Sequence, residues 1–236
     1  MSGEQVLKLD LLVFAAHPDD AEIGMGGTII KHIRAGNKVG LIDLTYAEMS
    51  SNGDVETRQR EAAEASRLLG LTVRENLGLP DRRLASVPEQ LDKMVSVIRK
   101  YRPRLVFAPY FIDRHPDHMN CSRMAEEAVF NAKLRRYMPE EPAWAVEMLY
   151  FYFINDMHAP GIIVDIGDVQ EQKMAALRAF RSQFEPVGHQ PDWVETPLTR
   201  GYLENVAARD KLFGQPHRVA YAEGFIPKGA VKLDLL

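Results

Sequence analysis

The sequence predicts an α/β fold: a three-layer, Rossmann-like arrangement with a mostly parallel sheet and helices on both faces. Three observations carry this expectation. Short apolar runs of strand length alternate with runs of helical spacing from the start of the chain. A hydrophobic content of 46% in 236 residues suffices for a sizeable core. No Ser/Gly linker, internal repeat or low-complexity tract divides the chain, so residues 1–236 are expected to form one domain.

In order, residues 9–16 read as a buried strand and 21–35 as a helix closed by Gly36, and 39–45 form a second strand. Residues 56–69 are helical, with Ala62, Ala65, Ser66 and Leu69 on one stripe and Gly70 as the stop. A short strand at 72–77 precedes a helix marked by Leu91, Met94, Val95 and Ile98, which Pro103 ends. Residues 105–108 form the fourth strand, and the helix after His118 carries Cys121, Met124, Ala125, Ala128 and Val129 on one face. The last third is less regular. Strands are expected at 146–154, 162–166 and 218–225, helices at 169–184 and 199–213, and a loop at 185–197 with three prolines that could serve as a lid. If the strands follow the common 3-2-1-4 order, the first and fourth are neighbours where the winding reverses, and ligands bind at such a point.

Composition excludes several classes. With 29 Lys+Arg against 33 Asp+Glu the net charge is −4, which argues against nucleic-acid binding. No run of about 18 apolar residues predicts a membrane span, and residues 1–9 lack the pattern of a signal peptide. The single Cys121 has no partner for an internal disulfide, which fits the cytoplasm. It reads as a small apolar helix residue.

The chemistry is concentrated in two runs, His17-Pro18-Asp19-Asp20 and His115-Pro116-Asp117-His118, each placed after a strand and before a helix. Together they contain three of the seven histidines. Delivered to one crevice, His17, Asp20 and His118 offer two imidazoles and a carboxylate to a divalent ion, with a position left for water. Zn2+ suits that set, and so does Fe2+. Asp19 is then placed to act as general base. His115 is placed to remain protonated and serve an oxyanion or a leaving amine, oriented by Asp117 or Asp113. Gly24, Gly26 and Gly27 do not make a dinucleotide fingerprint, because the third glycine would have to stand at Ile29. Close packing of the first helix on the sheet accounts for them better.

The first run followed by Glu22 and Gly26-Gly27, with the later His-Pro-Asp-His, resembles the PIG-L/LmbE family of metal-dependent N-acetylglucosamine deacetylases. Ser51-Asn52-Gly53 with Arg58 and Glu61 resembles that family's second block, near the substrate. Several further segments resemble the bacillithiol biosynthesis subgroup: Leu79-Pro80-Asp81-Arg82, Phe107-Ala108-Pro109-Tyr110 with Asp113-Arg114-His115, Thr196-Pro197-Leu198 with Gly201-Tyr202, and Tyr221-Ala222-Glu223-Gly224-Phe225. The resemblance implies zinc on His17, Asp20 and His118 and Asp19 as base. It implies His115 as acid or oxyanion partner supported by Asp117, Tyr202 on the oxyanion, and Arg58 on the substrate. It further implies N-acetylglucosaminyl malate as substrate, with related amino-sugar conjugates or chitooligosaccharides as the alternative, and a homo-hexamer. Arg58, Arg82 and Arg114 flank the motif loops, where guanidinium groups would pair with the malate carboxylates.

Overall fold

The computed structural model describes residues 7–185 and 193–232. The alternation expected from the sequence is present as β1 (Leu11–Ala15), α1 (Asp20–Arg34), β2 (Val39–Thr45), α2 (Val55–Leu69), β3 (Val73–Leu79), α3 (Pro88–Tyr101), β4 (Leu105–Pro109) and α4 (Pro116–Ala132). There follow β5 (Met148–Tyr152), β6 (Ile162–Asp165), α5 (Gln170–Arg178), α6 (Arg181–Phe184), α7 (Tyr202–Gly214) and β7 (Ala222–Pro227). Local chemistry sets several ends. Asp54 caps α2 by accepting the Thr57 amide at 2.7 Å, Gly70 ends it in the left-handed region (φ 83°), and Pro88 opens α3.

The strands form one sheet in the order β3-β2-β1-β4-β5-β7-β6. Strands β1 to β5 pair in parallel, and β7 runs antiparallel between β5 and β6. Side chains of β1 alternate between two cores. Leu11, Val13 and Ala15 pack with α1, α2 and α5, while Leu12, Phe14 and Ala16 pack with α3 and α4. The winding reverses between β1 and β4, paired at Leu11–Leu105 through Val13–Phe107, so the loops after these strands open into one crevice.

The glycines of α1 are packing residues. A Cβ on Gly24 would lie 2.2 Å from the Tyr152 ring, and one on Gly27 would lie 2.7 Å from the Ile166 side chain. Beneath them a fully buried Lys173 pairs with Asp210 at 2.6 Å and Glu223 at 2.8 Å, and Glu223 in turn accepts the Gly27 and Thr28 amides. Glu22 is also buried and pairs with Arg74, which reaches Asp43 as well.

Two expected helices differ from the sequence pattern. Residues 169–184 break at Phe180 (φ −83°, ψ 60°), whose buried ring lies under the Arg58 and Arg74 guanidinium groups at 5.6 and 5.9 Å. The helix expected from 199 begins instead at Tyr202, after a 3-10 turn (Pro197–Thr199) and Gly201 in the left-handed region. The final strand is shifted to 222–227, because Arg218 closes a 3-10 turn at Gln215–His217. Residues 186–192 of the expected lid loop lie outside the described residues. Among the described residues no helix is long and apolar enough to cross a membrane.

Candidate metal centre

The C-terminal ends of β1 and β4 bring the two His-rich runs together. The His17 and His118 ring centroids are 5.5 Å apart, with His115 4.8 Å from the first and 4.7 Å from the second. Ring nitrogens of all three lie within 4.8 Å of one another. Asp20 bridges the pair, its Oδ2 3.5 Å from His17 Nδ1 and its Oδ1 3.1 Å from His118 Nε2. The far nitrogen of each imidazole meets a carboxylate: His118 Nδ1 lies 2.9 Å from Asp113, and His17 Nε2 lies 3.2 Å from Asp81.

The electrostatics suit a cation. Burial alone would push both imidazoles down, but Asp117, Asp20 and Asp81 hold His17 well above its ordinary value, and Asp20 and Asp113 raise His118 to about 9. Burial likewise acts to raise Asp20 and Asp113. The imidazoles nonetheless hold Asp20 well below the carboxylate range, and chiefly His118 lowers Asp113 to about 2. Two imidazoles that bind protons this firmly, in a nest of ionised carboxylates, form a donor set that a divalent cation can neutralise.

Asp19 stands beside them in a strained backbone conformation (φ 123°), which turns its carboxylate into the cavity instead of onto the helix end. Burial raises its pKa to about 7; Arg58 opposes the rise and Asp20 adds to it. Arg58 Nη2 lies 3.2 Å from Asp19 Oδ2 and also donates to the Pro18 carbonyl. Its Nε and Nη1 are buried without a hydrogen-bond partner among the described residues.

The environment of His115 differs from the sequence expectation. Its Nδ1 accepts the backbone amide of Asp117 at 3.3 Å, so a neutral ring carries its proton on Nε2. Burial, with the positive His118 and His17 nearby, lowers its pKa to about 4, and Asp20 and Asp117 do not compensate. Burial and the neighbouring imidazoles thus disfavour the protonated ring that the sequence suggests. The carboxylate of Asp117 faces elsewhere, accepting Arg82 N at 2.9 Å and Arg82 Nη1 at 3.3 Å. Asp113 is bound to the His115 backbone and the His118 ring.

His17, Asp19, Asp20, Arg58, Asp81, His115 and His118 line a cavity of ≈ 430 Å³ that also includes Arg82, Arg114, Asn155 and Tyr202. The Tyr202 hydroxyl donates to Asn155 Oδ1 at 3.0 Å, and Asn155 Nδ2 donates to Asp113 at 2.9 Å. Asn52 also lines the cavity, but its amide pairs with both backbone groups of Val194 and pins the segment after the loop. Gly53 (φ 74°) turns the chain where a Cβ would meet Ser182 at 2.8 Å. Arg114 is exposed and makes no ion pair among the described residues. Sequence reasoning did not assign roles to Asp81 or Asn155. Asp81 stood within a motif already singled out, whereas Asn155 carries no local signal beyond following a strand.

Residues 12–129 match the PIG-L family, described as GlcNAc-PI de-N-acetylase. The diacetylchitobiose deacetylase of Thermococcus kodakarensis is 31% identical over 234 residues, covering 92% of this chain and 83% of its own length. A probable N-acetyl-alpha-D-glucosaminyl L-malate deacetylase 2 of Bacillus subtilis is 29% identical over 192 residues, covering 76% and 85%. Among solved structures, a conserved protein from Thermus thermophilus superimposes with a TM-score of 0.86 at 44% identity, covering 95% of this chain and 97% of that one.

Proposed function

Because the chain belongs to the PIG-L family and is a metal-dependent N-deacetylase, we propose that it removes the acetyl group of N-acetylglucosaminyl malate, giving glucosaminyl malate and acetate in bacillithiol biosynthesis. The observation that carries the reaction class is the convergence of His17, His118 and Asp20 beside Asp19 in one cavity. The choice of an acidic conjugate is supported by Arg114, an exposed guanidinium on the cavity wall without a carboxylate partner among the described residues. The resemblance to the bacillithiol subgroup extends the proposal to a homo-hexamer, and the single Cys121 fits a cytoplasmic location.

His17, Asp20 and His118 would hold Zn2+, or Fe2+, which suits the same donors. Bound there, the ion supplies Lewis acidity for water and the amide carbonyl. Asp19 takes the proton of the attacking water, and a carboxylate with a pKa near 7 is matched to that task at neutral pH. Arg58 keeps it in place from behind. The neutral His115 donates from Nε2 to the carbonyl oxygen as negative charge develops, a contact worth about 3 to 4 kcal/mol in comparable sites. Tyr202 can add a second donor only by giving up Asn155. As the C–N bond breaks, Asp19 returns its proton to the amine.

Acetate release from N-acetylglucosaminyl malate, N,N'-diacetylchitobiose and free N-acetylglucosamine tests the proposal. The malate conjugate should show the highest kcat/KM, and Arg114→Ala should cost it more than it costs chitobiose. Preference for chitobiose overturns the malate assignment. No acetate from any of the three by the zinc-loaded protein overturns the catalytic reading as a whole.

A further inference from the structure

His17 stands between two groups of acids. Asp20 is 3.5 Å from its Nδ1, while Asp81 Oδ1 and Asp117 Oδ2 lie 3.2 and 3.6 Å from its Nε2. Two sets of buried or half-buried groups share this residue, namely His17 with His115 and His118, and His17 with Asp81 and Asp117. An imidazole presents one lone pair when neutral, so the group that holds the other nitrogen decides which set receives a cation.

On the Nε2 side the acids are already engaged. Asp117 accepts the backbone N–H and Nη1 of Arg82, and Asp81 Oδ2 accepts the Met49 amide at 3.0 Å. The Arg82 guanidinium supplies positive charge there. On the Nδ1 side, Asp20 accepts the backbone amide of His17 and otherwise faces the imidazoles of His17 and His118. His118 shows the same arrangement reversed, with Nδ1 held by Asp113 and Nε2 turned to Asp20. Chain geometry makes the Nε2 wall from adjacent residues. Arg82 adopts a left-handed conformation (φ 63°), which lets Asp81 reach His17 while Arg82 reaches Asp117.

We propose that Asp81 is a positioning residue: it accepts the hydrogen bond of His17 Nε2–H and so leaves Nδ1 for the cation, while Arg82 and Asp117 close the Nε2 side to a second ion. This rests on the reading of His17 as a metal ligand. Carboxylates that hold the far nitrogen of a ligating histidine fix its tautomer and ring orientation, and losing one typically weakens metal binding about 10- to 100-fold.

The test is Zn2+ binding by chelator competition for the full-length protein and its Asp81→Ala, Asp81→Asn and His17→Ala variants, together with long-range 1H–15N spectra of the imidazoles in the zinc-loaded parent. Asp81→Ala should weaken Zn2+ binding about 10- to 100-fold, and Asp81→Asn, whose Oδ1 can still accept from Nε2–H, should recover most of that loss. The spectra should show His17 Nε2 protonated and Nδ1 bound to zinc. Unchanged affinity in Asp81→Ala, or zinc on Nε2, overturns the proposal. Unchanged affinity in His17→Ala as well overturns the ligand assignment beneath it. Thermal melts of the metal-free variants report folding. If Asp81→Ala does not fold, the Asp81→Asn affinity and the parent spectra decide, with zinc on Nε2 again the overturning result.

Discussion

Replacing Arg58 with methionine should move the acid limb of the pH–rate profile upward. Arg58 and Asp19 are both buried and 3.2 Å apart, a separation at which opposite charges attract by on the order of 5 kcal/mol at an effective dielectric of about 20. That attraction is what opposes the rise that burial and Asp20 impose on Asp19, whose pKa is about 7. Part of the lost attraction is offset as the site relaxes, and an arginine beside a carboxylate typically shifts it by about 1 to 3 pKa units. The base must be ionised to take a proton, so activity is lost as pH falls through its pKa. With Arg58 the base is about half ionised at pH 7. Without the charge, the ionised fraction falls to roughly one in ten to one in a thousand, and kcat/KM at pH 7 falls roughly 5- to 500-fold. Acetate release under kcat/KM conditions from about pH 5 to 10 measures the limb. The loss should shrink as pH rises, and Arg58→Lys, which keeps a charge on a shorter donor set, should shift the limb less. A uniform loss with the limb unmoved would refute this reasoning and leave Arg58 as a substrate contact alone.

Asp19→Ala should retain zinc, since His17, Asp20 and His118 are untouched, yet lose about 10²- to 10⁴-fold in kcat. Near-normal turnover would remove Asp19 as the base. Lys173→Met should destabilise the fold by about 3 to 5 kcal/mol, because it leaves buried Glu223 without its cation and Asp210 with only Arg209, 3.6 Å away. A thermal melt should fall by roughly 6 to 20 °C, and a loss of under about 1 kcal/mol would show that the two acids find protons or other partners.

Much of the fold was legible because its signals are local. The apolar run of β1, the helical stripe of α3 and the stop at Gly70 depend on neighbours within a few residues, and these elements stand close to where the sequence places them. The two His-rich runs were also readable, since each follows a parallel strand and the chain order brings β1 beside β4. Contacts distant in sequence decided the rest. Nothing near Phe180 stops a helix; the break serves its burial under Arg58 and Arg74. The carboxylate partners were misjudged for the same reason. Asp117 lies two residues from His115 yet presents its carboxylate to Arg82 and His17, and Asp113 serves His118. Residue types and their spacing determined which groups reach the crevice. Which acid faces which imidazole, and hence which nitrogen bears a proton, was decided by loops from β3 and β5 folding over the same strand ends, because hydrogen bonds depend on direction and burial as well as on proximity.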